Sequence, residues 1–443
     1  MRERRSQGQS ARHLSLFTSC LWALFVIQVY GAGSTALGYR VYGHSFIISL
    51  GPSAICCVMI LLGFAELSNQ NKLGVLPCHH ITAFLISYLL VFVLMLVQLP
   101  LNDSRSTPLV IWEDLLVWLM PSVAVFGMKR ANWQVLMRVF LWHTILGLAG
   151  ALVIVPVTLG DSLLIESLGR GMRTMSALGV LAGLLYASPF LLLSWSIQSA
   201  WARIVPALGV ALTTWGGIMG QFRNRLVTGV LVVLLAGWWI PWRLREKGRR
   251  PGLTWVLIRL AAGAILLSAL FTDVSGLASY GRTGTAFLRQ VEAMQLREQQ
   301  GDYGVQAALL DRLQESQEAL AEGSVWQLIV GQGVASTWSG GTLYLERRGM
   351  LHLGFGHLMF RGGILLLVLV MVFPFGVGIH VFLRSRDPLV LACASLLFLR
   401  VVFLFVANQF ALSLAYVLTF LCAGGCLIHW SDSPRLKSRG GAA

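Results

Sequence analysis

The chain has 443 residues, of which 56% are hydrophobic and only 12% charged. Soluble domains carry about 25% charged residues, so the deficit excludes one ordinary globular protein of this length. The wealth of Trp and Phe excludes a disordered chain, and the net charge of +15 in a lipid-embedded chain points to basic cytoplasmic loops, not to nucleic acid.

A helical span needs about 20 mostly apolar residues. In chain order these are expected at 14–31, 46–66, 81–99, 108–127, 135–157, 175–196, 204–220, 226–242, 254–272, 362–383, 388–407 and 410–429. The stretch 204–220 is short and rich in Gly, which neighbouring helices can tolerate. The expected fold is therefore an all-α polytopic membrane protein of about twelve spans. With the N-terminus inside, the basic residues Arg2, Arg4, Arg5, Lys129, Arg130, Arg243, Arg245 and Lys247 fall on the cytoplasmic face. That bias predicts an N-in, C-in chain. The first span, with no clean cleavage site after it, reads as an anchor.

The organisation falls into three parts: spans one to nine over 1–272, a polar loop over 273–361, and spans ten to twelve with a tail over 362–443. The loop breaks the pattern and is the natural place for chemistry. Two amphipathic helices are expected in it. Residues 285–300 present Val291, Met294 and Leu296, and residues 303–322 present Leu309, Leu313 and Leu320 as an apolar side. Gly331, Gly333, Gly340 and Gly341 then mark turns. No cysteine lies in this loop, so no disulfide framework is expected.

Several chemistries are discounted. No GxxxxGK[ST] phosphate loop, HExxH pair, DxD pair or GxSxG elbow occurs. His79 and His80 are adjacent and project from different sides of a helix, a poor metal pair. Neither a metal nor a cofactor is expected.

The opposite face combines arginines, a histidine and glycines. Arg223 and Arg225 open span eight, Arg312 lies in the second amphipathic helix, His352 follows in the loop, and Arg361 precedes span ten. Arg400 sits inside span eleven, where a charge normally faces a partner or polar cavity; Glu113 and Asp114 are available partners. Arginine presents a planar fork of donors to phosphate, and histidine can take a proton from a hydroxyl near neutral pH. The plainer alternatives are headgroup anchoring for Arg223 and Arg225, a solvated Arg312, an interfacial His352 and a snorkelling Arg361. His357 is a weaker candidate.

Taken in this order, the motifs resemble those of the bacterial O-antigen ligase and polymerase superfamily. The resemblance covers about 205–385. It rests on Arg223 at the start of an outward helix, Arg312 with Ala319 and Leu320 after it, Gly331-Gln332-Gly333, and His352 eleven residues before Gly363. Leu353 stands where the family has Asn after the histidine, and Asn224 where it has Gly after the arginine. The resemblance implies a GT-C-type, metal-independent, inverting glycosyltransferase of the bacterial inner membrane, with its site on the periplasmic side. The implied donor is an undecaprenyl-diphosphate-linked glycan, and the acceptor is another glycan or a lipid A core. It also implies that His352 orients or deprotonates the acceptor hydroxyl. Arg223 or Arg225, with Arg312, would hold the diphosphate, and Arg361 and Arg400 would follow in second rank. Two alternatives stay open: a twelve-span transporter or lipid-linked oligosaccharide flippase, and a cell-wall polymerase using Asp273, Asp302 or Asp311.

Overall fold

The structure is a computed structural model that describes residues 2–36, 44–72, 79–98, 108–160, 183–194, 201–219, 223–245, 305–334, 336–338, 351, 353–405, 410 and 412–431. Among these residues the chain is mostly helical and has no strand. The helices are α1 (Arg2–Ala36), α2 (His44–Lys72), α3 (His79–Val97), α4 (Pro108–Leu119), α5 (Ala124–Gly127), α6 (Arg130–Gly160), α7 (Ser188–Leu193), α8 (Trp201–Met219), α9 (Arg223–Leu234), α10 (Ile240–Arg245), α11 (Val305–Ala321), α12 (Val325–Val330), α13 (Gly354–Val370), α14 (Val377–Arg384), α15 (Pro388–Leu404) and α16 (Leu414–Ser431).

Three described segments are long and apolar enough to cross a membrane: Ser6–Gly31, Leu50–Gln70 and Arg130–Val153. They lie on α1, α2 and α6, within or around three of the expected spans. Other expected spans are shorter apolar helices, including Ile204–Thr214, Gly354–Val370, Pro388–Leu404 and Leu414–Ile428. The stretch 175–196 lies partly, and 254–272 and the amphipathic stretch 285–300 wholly, outside the described residues.

Two expected spans are interrupted. A π-helical turn at Leu235–Trp239 separates α9 from α10, and another at Met371–Gly376 separates α13 from α14. The second contains Pro374. Proline has no N–H and its ring collides with the carbonyl four residues earlier, so the chain widens its turn there.

The chain forms two compact units. One comprises Met1–Ile27, Ser45–Phe140 and Leu313–Ala443; the other comprises Gln28–His44 and Leu141–Arg312. In the second unit Gly209 of α8 has a packing reason. A Cβ on Gly209 would press into Ser188 of α7, so the missing side chain lets the two helices touch. The hydroxyls of Thr213 and Thr214 donate to the carbonyls of Gly209 and Val210, both at 2.7 Å, which satisfies them without water.

In the first unit, Glu66 on α2 is buried among partners. Lys129 Nζ lies 2.9 Å from one carboxylate oxygen and His13 Nδ1 2.9 Å from the other. Ser10 and Gln70 also donate to it, at 2.7 and 3.0 Å. A buried charge persists only when paired in this way. Asp387 starts α15 as a capping residue, accepting from the backbone N–H of Leu389 and Val390 at 3.0 and 3.3 Å, with Pro388 at the first helical position. Its carboxylate also pairs with Arg130.

Candidate functional site

The site is built where the loop over 331–338 meets α13. That helix begins at Gly354, eight residues before the apolar run that the sequence marks as a span at 362. Its first turns carry His357 and Arg361 on the inner side, and both are buried. Residues 354–361 mix Gly, His and Arg, so hydropathy alone does not mark them as membrane helix; burial against protein supplies what lipid would not.

The helix is broken at Gly363, whose φ of 63° and ψ of −163° are not helical. A break frees carbonyls that would otherwise accept along the helix. Here the loop supplies the missing donors. The N–H of Gln332 donates to Phe360 O at 2.7 Å, and the N–H of Gly333 to Arg361 O at 2.9 Å. Gly331 also has positive φ, at 81°. A Cβ there would run into the backbone of Arg361 and Gly362, and one on Gly363 into the backbone of Ile329 and Gly331. The Gly-x-Gly turn and the Gly of α13 are therefore two faces of one backbone contact.

Arg361 fastens the loop from the other side. Its Nη1 donates to Ser336 O and Ser336 Oγ, both at 2.9 Å, and at longer range to Gly333 O at 3.5 Å. Its Nε lies 3.2 Å from Asp114 Oδ2 on α4. The end of α3 and the residue after it add further ties: Gln98 Nε2 donates to Val330 O at 3.2 Å, and the N–H of Val334 to Met95 O at 3.5 Å.

One turn from each member of the ion pair stands an aromatic partner. Trp118 follows Asp114 by four residues and His357 precedes Arg361 by four, and the two rings stack with centroids 6.4 Å apart. Phe410 covers His357 at 5.9 Å. His357 Nδ1 is buried with no hydrogen-bond partner among the described residues. Such an atom costs about 1–3 kcal/mol unless something satisfies it.

α11 packs on the start of α13 through small residues. A Cβ on Gly356 would strike Ser316, and Ala319 shares a fully buried cluster with Trp338, Leu351 and Phe360, joined by Leu320. Of the expected apolar side, Leu320 packs against this cluster and Leu313 is 37% exposed; the buried residues alongside are Glu315, Ser316 and Ala319. Close approach at Gly356 demands small side chains, which an apolar count does not register. Ser324 then caps α12 with a reciprocal Ser–Gln capping box involving Gln327.

Of the residues the sequence singles out, His352 lies outside the described residues, although both neighbours, Leu351 and Leu353, are fully buried. Arg223 and Arg225 occupy the first and third positions of α9. Arg312 is half-buried on α11, one turn before Ser316. Arg400 donates from Nη2 to Ala415 O at 2.9 Å. Asp114, an available partner for Arg400 on sequence grounds, forms its ion pair with Arg361. Sequence reasoning passed over Asp114, Ser336 and Gln98 as parts of this assembly. The four-residue spacing on α4 and α13 was visible, but nothing in the chain announces that those two turns face each other. Among the described residues no group of three or more His, Cys, Asp or Glu could hold a metal ion.

No protein-family model matches the chain, and neither a curated protein nor a solved structure matches it.

Proposed function

We propose that the protein is a membrane glycosyltransferase that moves a glycan from an undecaprenyl-diphosphate donor to an acceptor hydroxyl. The reading rests on the family resemblance of its motifs. The observation that supports it best is the backbone contact between Gly331-Gln332-Gly333 and Arg361–Gly363. Two motifs that the resemblance takes only as an order along the chain pack there as one unit beside His352 in sequence.

In the proposed reaction a ring nitrogen of His352 takes the proton of the acceptor hydroxyl. The oxygen attacks the anomeric carbon of the donor sugar, the bond from that carbon to the diphosphate oxygen breaks, and the configuration inverts. Undecaprenyl diphosphate leaves with the bonding pair. Arg223 or Arg225, with Arg312, neutralises the departing charge, and Arg361 and Arg400 are second-rank candidates for the same role. Whether the acceptor is a second lipid-linked repeat or a lipid A core decides between polymerase and ligase.

The test uses purified protein in liposomes with an undecaprenyl-diphosphate-linked oligosaccharide. A polymerase lengthens the glycan by whole repeats, and a ligase joins it to added lipid A core. An intact glycan lipid that has merely crossed the bilayer would favour the flippase alternative and end this reading. In cells, loss of long chains with one repeat still on the core would indicate a polymerase, and loss of all attachment a ligase.

The proposal places the chain in the bacterial inner membrane as twelve spans with both termini inside and the 273–361 loop in the periplasm. Two things support it: the basic bias of the short loops, and the exposed Val325, Trp326 and Ile329 on α12, since Trp favours the membrane–water boundary. Reporter fusions are expected to give periplasmic activity after residue 300 and cytoplasmic activity after Lys247. The opposite pattern at either point would refute the topology.

A further inference from the structure

We propose that Asp114 is a positioning residue of this transfer site, acting through Arg361 on the segment that carries His352. The inference rests on the reading above.

Asp114 and Arg361 lie on α4 and α13, and their carboxylate and guanidinium meet at 3.2 Å with Arg361 almost wholly buried. A buried guanidinium needs both an opposite charge and acceptors for its remaining donors. Asp114 supplies the charge, and Ser336 and Gly333 supply acceptors. The carboxylate therefore fixes where Arg361 points, and Arg361 fixes the loop. The loop in turn closes the helix break, because Gln332 and Gly333 donate to the carbonyls of Phe360 and Arg361. Trp338 at the loop's end and Leu351 beside His352 sit in one buried cluster with Phe360. The backbone on both sides of His352 is thus referred to the same anchor: Leu351 through that cluster, and Leu353 through the N–H of His357, which donates to Leu353 O at 2.9 Å. Loss of the Asp114 charge would leave the anchor in place but free to reorient. A proton acceptor displaced by a fraction of a bond length loses rate more than binding.

A purely structural ion pair would make a different prediction, and kinetics separate the two. Asp114→Asn keeps the shape and removes the charge. Because it strands a buried cation, it is paired with the neutral double variant Asp114→Asn/Arg361→Gln and with Asp114→Glu. Each is purified, shown to be monodisperse and assayed in liposomes with the lipid-linked oligosaccharide, with rates taken per folded molecule. The expected result is a fall in kcat of about 10- to 100-fold for Asp114→Asn and the double variant. The donor KM is expected to stay within about threefold, and Asp114→Glu to recover part of the rate. Folded variants with kcat close to wild type would overturn the proposal. So would a raised KM with kcat intact, which would make Arg361 a direct donor ligand. Failure of both Asn variants to fold, with full turnover in Asp114→Glu, would also overturn it by making the pair purely structural. If the wild-type protein makes no covalent product, the glycosyltransferase reading fails and this inference falls with it.

Discussion

His352→Ala is expected to abolish transfer, lowering turnover by about 10²–10⁴-fold, the usual contribution of a positioned proton acceptor. The protein should still reach the membrane at normal levels, since Leu351 and Leu353 on either side already supply the buried contacts of that segment. Donor binding should change little, because the proposed histidine acts on the acceptor. The measurement is product formation in liposomes, together with surface glycan from cells carrying the variant as their only copy. Normal polymer, or normal ligated product, at normal expression would remove His352 from the mechanism. His357→Ala serves as the control for ring loss nearby. Its ring packs against both Trp118 and Phe410, which also touch each other, so its main expected effect is on stability.

Gly363→Val is expected to lower stability by on the order of 4 kcal/mol. Two costs combine. The backbone at φ 63° and ψ −163° is a region that a β-branched residue scarcely visits. The new Cβ would also be driven into the backbone of Ile329 and Gly331, where no flexible side chain can yield. The measurement is the thermal midpoint in detergent by size-exclusion recovery. Gly331→Ala should act on the same contact, so the double substitution should cost clearly less than the two singles together. Full additivity would mean that the two glycines do not share one contact.

The helices were largely legible because apolar runs of sufficient length leave few other conformations. Thus α1, α2 and α6 each contain an expected span and run past it, α1 by twelve residues at its start, and α15 and α16 fall on expected spans to within about four residues at each end. The start of α13 was not legible. Its first turns carry His357 and Arg361, which hydropathy counts against a membrane helix, and only burial against Trp118 and Asp114 accounts for them. The buried face of α11 was legible only in part: Leu320 packs against the core as its spacing predicts, whereas Ser316 and Ala319 join it by letting backbones approach. Gly331, Gly333 and Gly363 were visible as turn formers or motif positions. Their mutual contact depends on a break in α13 whose freed carbonyls the loop completes, and that is a tertiary fact.

The Asp114–Arg361 pair also constrains how the molecule is made. About 250 residues separate the two partners along the chain, and synthesis at about 5–20 residues per second puts roughly 10–50 s between them. Throughout that interval α4 has emerged, and Arg361, which pairs with its acid in the folded protein, has not. The acid must be held by water, by lipid headgroups or by the insertion machinery until α13 arrives. Arrival of α13 then brings the counter-charge and the loop anchor at once, so this contact can form only after most of the chain has been made.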